Sequence, residues 1–125
     1  MRWTVRSVAL ASAVGVLAGA TPANAAEEQH YALQTAEDLG VLCAATSDSA
    51  AIHMCHGYLI GVNHMHRAIV DAVGASVYCV PEGVTVTRDS AAADYATWIS
   101  ENTEAAGLSP REGLLRWASI AFPCE

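Results

Sequence analysis

Residues 50–73 read AAIHMCHGYLIGVNHMHRAIVDAV. Apolar side chains recur at Ile52, Cys55, Leu59, Val62, Ile69 and Val73, a spacing that places them on one face of a helix. Gly74 supplies the stop signal, so this stretch predicts the longest helix of the chain. The polar run Thr46-Ser47-Asp48-Ser49 just before it reads as a loop that caps the helix. Gly57 and Gly61 lie one turn apart inside it, each costing about 1 kcal/mol against alanine in helix propensity. Their presence predicts close approach by another helix, either an ordinary crossing within the chain or a seam between two copies.

On the N-terminal side, Thr35-Ala36-Glu37-Asp38 puts a capping hydroxyl ahead of two acids, with Leu39, Val41 and Leu42 following. A short helix ending near Cys43 is predicted there, after a short tail. On the C-terminal side, Tyr78-Cys79-Val80-Pro81-Glu82-Gly83 reads as a turn, because proline fixes one backbone angle and glycine frees another. Val84 to Val86 is too short for a strand and has no partner run. It reads as the approach to a third helix, capped by Thr85 or Thr87, burying Ala91, Tyr95, Trp98 and Ile99 and ending near Asn102. Thr103 to Leu108, with Glu104 and Gly107, is the most loop-like interior segment. Ser109-Pro110-Arg111-Glu112 then combines a capping serine, a proline at the first helical position and a capping-box glutamate. The helix it starts runs through Leu114, Leu115, Ala118 and Ala121 until Pro123 stops it. The expected fold is all-α, a small disulfide-stapled bundle of about four helices in one domain.

The first 25 residues have the parts of a secretory signal: Arg2 and Arg6, an apolar run from Val8 to Ala20, and the small-x-small site Ala23-Asn24-Ala25. The run is 13 residues, whereas a spanning helix needs roughly 20. Residues 1–25 are therefore expected to be a cleaved signal peptide and residues 26–125 an exported domain, with no membrane association after cleavage. That domain keeps Arg67, Arg88, Arg111 and Arg116 against thirteen carboxylates, a formal charge of −9, and the chain has no lysine. Such a surface repels phosphate backbones and argues against nucleic acid as a partner.

Four cysteines, Cys43, Cys55, Cys79 and Cys124, lie in the exported part, an even number that reads as a disulfide framework. Three connectivities are open, and spacing alone does not choose among them. Cys43 with Cys55 and Cys79 with Cys124 is the pairing expected.

His53, Cys55, His56, His64 and His66 crowd one stretch of the long helix. At 100° per residue, His53, His56 and His64 share a side and His66 points nearly opposite. His56 and His64 are about 12 Å apart along the axis, too far to share an ion. Only His53 with His56 can chelate, and two ligands make a weak site. No metal and no cofactor is therefore expected. Cysteines tied as cross-links leave no thiolate nucleophile, and no phosphate loop, His-Glu-x-x-His or Gly-x-Ser-x-Gly motif occurs. The chain reads as a binding module rather than an enzyme.

Four stretches in order carry a resemblance: Thr35-Ala36-Glu37-Asp38-Leu39 with Leu42-Cys43, Cys55-x-Gly57-Tyr58-x-x-Gly61, Tyr78-Cys79-x-Pro81-x-Gly83-Val84-Thr85, and Ala121-Phe122-Pro123-Cys124. Together they resemble the Rap/Tai family of immunity proteins. The resemblance implies a periplasmic, all-helical, often dimeric protein. Such a protein binds a peptidoglycan amidase delivered by a type VI secretion system and blocks its active-site groove. Ser100-Glu101-Asn102-Thr103 runs on into Glu104-Ala105 where many relatives carry a proline, a departure at the loop after the third helix. The acidic loop Glu101 to Ser109 is the expected contact surface, with Glu101, Asn102, Glu104 and Leu108 as its contact residues. Two rival readings are a small periplasmic chaperone or stress protein, and a metal-handling protein using His53 and His56.

Overall fold

The structure, a computed structural model, describes Gly15 and residues 25–125. The rest of the expected signal peptide lies outside the described residues. Each helix begins where a short-range side-chain bond captures free backbone amides. Thr35 Oγ1 accepts from the Asp38 amide at 3.1 Å and the Asp38 carboxylate accepts from the Thr35 amide at 2.9 Å, opening α1 (Ala36–Ala44). Asp48 Oδ1 accepts from the amides of Ala50 and Ala51 and opens α2 (Ser49–Val73), which Gly74 ends in the left-handed region at φ 73°. Thr87 pairs with Ser90 at the start of α3 (Arg88–Glu101), and Ser109 pairs with Glu112 at the start of α4 (Pro110–Ala121), with Pro110 in the first turn. The Ser109 hydroxyl, and after it the Ser109 amide, hold the Glu112 carboxyl below the usual carboxylate range. Among the described residues the regular structure is entirely helical. Two 3-10 turns accompany the four helices, Glu28–Ala32 ahead of α1 in what reads from sequence as a tail and Thr103–Ala105 between α3 and α4 inside the predicted loop.

The shortest α-helix is the most enclosed. Ala36, Leu39, Gly40, Leu42 and Cys43 of α1 are buried, because α2, α3 and α4 all pack against it. Beneath it sits Tyr95 of α3, fully buried, whose hydroxyl donates to the Ala36 carbonyl at 2.9 Å. Its ring meets Trp117 of α4 edge-on, centroids 5.8 Å apart. Burial pushes the Tyr95 phenol well above its ordinary range.

Close helix contact does occur at glycines, but not at the two expected. A Cβ added at Gly40 would collide with Ile99 of α3, and one at Gly113 with Ala36 of α1. Gly57 and Gly61 lie on the exposed side of α2 with no atom within 4 Å of where their Cβ would be, so no intrachain helix crosses over them. The expectation for the far end of α2 also needs correction. Cys55 and Leu59 are buried, but Ile69 is 49% and Val73 69% exposed. At 25 residues α2 is roughly 37 Å long, far longer than α1 or α4, so its apolar face continues beyond the helices that cover it. In α4, Trp117 joins Leu114 and Ala118 in the core, while Ala121 is exposed and Leu115 half-buried. In α3, Ala92 is buried and Ala91 and Trp98 sit half-buried at the edge.

Two disulfides brace this arrangement. Cys43–Cys55 ties α1 to α2 inside the core, and Cys79–Cys124 ties the segment between α2 and α3 to the chain end after α4. Their sequence separations of 12 and 45 residues correspond to loop-closure contributions of about 3 and about 4 kcal/mol. No cysteine among the described residues is free. No helix of the described residues is long and apolar enough to cross a membrane.

Candidate interaction surface

The four residues expected to contact a partner divide into two kinds. Asn102 caps the end of α3, its side-chain amide donating to the Trp98 carbonyl at 2.8 Å. Leu108 leans on the core, and its carbonyl accepts from the Ala36 amide at 2.8 Å. The Ala106 carbonyl likewise accepts from Glu37, so the segment wraps over the start of α1 and satisfies amides that no helical bond can reach. Ala105 is completely buried. The predicted free loop is therefore a pinned turn, and Asn102 and Leu108 hold it in shape. Glu101 and Glu104 remain exposed on it, and Glu37 adds a third exposed carboxylate at the same end of the molecule. The result is a fixed acidic projection rather than a flexible tether.

At the opposite, cross-linked end lies a groove of about 290 Å³ between α2, α4 and the 78–87 strap. Leu59, Leu114, Trp117, Ala118 and Phe122 contribute to its lining, with Val80 and Val86 on the strap side. Several bonds hold the strap in place. Val77 donates its amide to His66 Nε2 at 3.0 Å, and the Tyr78 ring stacks on His66 with centroids 4.1 Å apart. The Tyr78 hydroxyl donates to Asn63 Oδ1 at 2.7 Å, and the Cys79 amide donates to the Phe122 carbonyl. Burial raises the Tyr78 phenol, partly countered by nearby Arg67. The angular reading sets His66 opposite His53, His56 and His64; the structure exposes His53 and His64 but buries His56 as well as His66. His66 is buried on the core face of α2, where it receives the returning chain.

The remaining histidines do not form a shared site. His53 and His64 are exposed, whereas His56 is buried with its Nε2 3.1 Å from Asp89 Oδ1 and outside hydrogen-bond geometry. Its Nδ1 has no partner. Among the described residues, no three His, Cys, Asp or Glu side chains cluster as metal ligands would. With all four cysteines oxidised, a thiolate nucleophile is excluded. The surface carries an acidic projection at one end and an apolar groove at the other.

His66, Tyr78, Asn63, Arg88 and Trp117 escaped the sequence reading as surface-forming residues. Trp117, three residues after Leu114, carried a helical-spacing signal that could have placed it. The others depend on where the chain returns after Gly74, which periodicity does not encode.

Comparison with curated proteins gives no match, and comparison with solved structures gives none. The family model of the Rap1a immunity proteins matches residues 35–124, which begins at the capping threonine of α1 and ends on the last cysteine. That span covers well over half of the 125 residues, and the chain therefore belongs to the Rap1a immunity protein family.

Proposed function

We propose that this chain is exported to the periplasm and there neutralises a type VI secretion amidase effector by binding it tightly and closing its active-site groove. Membership of an immunity family carries the reading. Two disulfides fit an oxidising compartment, which the periplasm is. The fixed acidic projection at Glu101 and Glu104 has the form of an inhibitory element. A segment already pinned before binding costs little entropy to dock, and specific inhibitory interfaces lean on a few such anchors. The formal charge of −9 favours a basic partner surface.

A homodimer is part of the proposal. Its support is the apolar face of α2 that runs on uncovered through Ile69 and Val73; Val77 and Val84 in the segment after it are exposed as well.

Titration of the purified domain into a peptidoglycan amidase effector encoded beside it tests the reading. The expected outcome is a stoichiometric complex and loss of murein hydrolysis. Continued hydrolysis at saturating inhibitor would overturn it. Reversing charge with Glu101→Lys and Glu104→Lys is expected to weaken the complex at least tenfold, and unchanged affinity would discard the acidic segment as the contact.

A further inference from the structure

We infer that the groove between α2, α4 and the strap binds a small amphiphile with one alkyl chain and an anionic head, of the class of medium-length fatty carboxylates. The inference goes beyond the inhibitor reading and does not depend on it. Three observations carry it. The groove is deep rather than flat: its lining includes buried Leu59, Leu114, Trp117 and Ala118, while Ile60, Val80 and Val86 on its rim are exposed, at 36 to 43%. A volume of about 290 Å³ is at the small end of ligand pockets, suited to one chain rather than a folded partner. Finally, the charge at its mouth is opposite to that of the molecule.

That last point decides the head group. Thirteen carboxylates face four arginines in the exported chain, yet no acidic residue lines the groove and Arg88 does. Arg88 makes no ion pair within the described residues. The neighbouring carboxylate, Asp89, is turned toward His56 instead. Arg88 is also the first residue of α3, so the head group would meet a guanidinium at a helix N-terminus. The other polar side chains of the lining are partly committed: Thr87 caps α3, and Asn63 Oδ1 accepts from Tyr78.

Titration of the folded domain with sodium decanoate below its micelle concentration tests this, read by calorimetry and by the NMR shift of the Trp117 indole N–H. Saturable one-to-one binding is expected, tightening about fourfold for each methylene added from octanoate to dodecanoate until the groove is full. Decyltrimethylammonium should bind at least tenfold more weakly. Arg88→Gln should weaken decanoate about tenfold, and so should Ile60→Glu; both positions are exposed, and circular dichroism checks that each variant folds. No saturable binding would overturn the inference, as would equal affinity for the cationic probe or indifference to both substitutions. Conversion of a dimer to a monomer by Ile60→Glu, without any decanoate binding in the parent, would assign the groove to a second copy and overturn it too.

Discussion

The two ends of this molecule are built differently. Around α1 every helix contributes to one core, Tyr95 is fully buried with its hydroxyl satisfied, and Gly40 and Gly113 let backbones approach where no larger residue fits. Around the far half of α2 the apolar face is left open, and the returning strap is held by one disulfide, a stacked histidine and a few hydrogen bonds. The first end sets stability. The second leaves apolar surface available for binding, which a monomeric domain of this size rarely does without a use for it.

Side-chain truncations at the two ends should separate by several kcal/mol, whereas the bridge at the open end acts through the unfolded chain and is set apart from that contrast. Tyr95→Ala empties the centre of the packed end and is expected to cost roughly 3–5 kcal/mol in urea unfolding. Losing the Cys79–Cys124 bridge through a double alanine variant should cost about 4 kcal/mol by loop entropy, mostly through the unfolded state. The bridges also differ in access: Cys124 is exposed and Cys79 half-buried, whereas Cys43 and Cys55 are essentially inaccessible. Mild reductant on the native protein should therefore label Cys79 and Cys124 first in mass spectrometry, and simultaneous labelling of all four would erase the contrast.

Gly113→Ala drives a methyl into Ala36 and should cost roughly 1–3 kcal/mol, against no strain at all for the same change at exposed Gly57. Tyr95→Phe removes the side-chain bond to the Ala36 carbonyl, for about 1 kcal/mol. It also changes the pH profile. The folded protein holds the Tyr95 phenol above its unfolded value near 10, so its contribution is complete below about pH 10 and is lost as pH rises beyond that. The phenylalanine variant should lose this alkaline component, as measured by thermal melts from pH 8 to 11. The smallest effect belongs to Val73→Ser at the open end, within about 0.5 kcal/mol for the monomer.

Helix starts were legible because each is a local event. Thr35, Asp48, Thr87 and Ser109 bond amides two or three residues away, so a few letters carry the whole interaction. Periodicity gave the buried direction of each helix for the same reason. It could not say where cover ends, and Ile69 and Val73 keep the core spacing beyond His66, the last buried residue of α2. Which glycines sit at a crossing is likewise a property of two helices, so Gly57 and Gly61 drew the expectation while Gly40 and Gly113 make the contact. The acidic segment after α3 was visible as charge and polarity. Its pinning through Ala106 and Leu108 was not, because the partner is α1, seventy residues earlier in the chain. The groove was invisible for the same reason, being assembled from four separate segments.

Native-state hydrogen exchange on the oxidised domain tests the division most directly. The amides of α1, the middle of α3 around Tyr95 and the start of α2 up to Leu59 should exchange last and together, at the rate of global unfolding. Those of the last two turns of α2 and of residues 74–87 should exchange orders of magnitude sooner. Uniform protection along α2 and the strap would show that the open end is as firmly held as the packed one, contradicting the account.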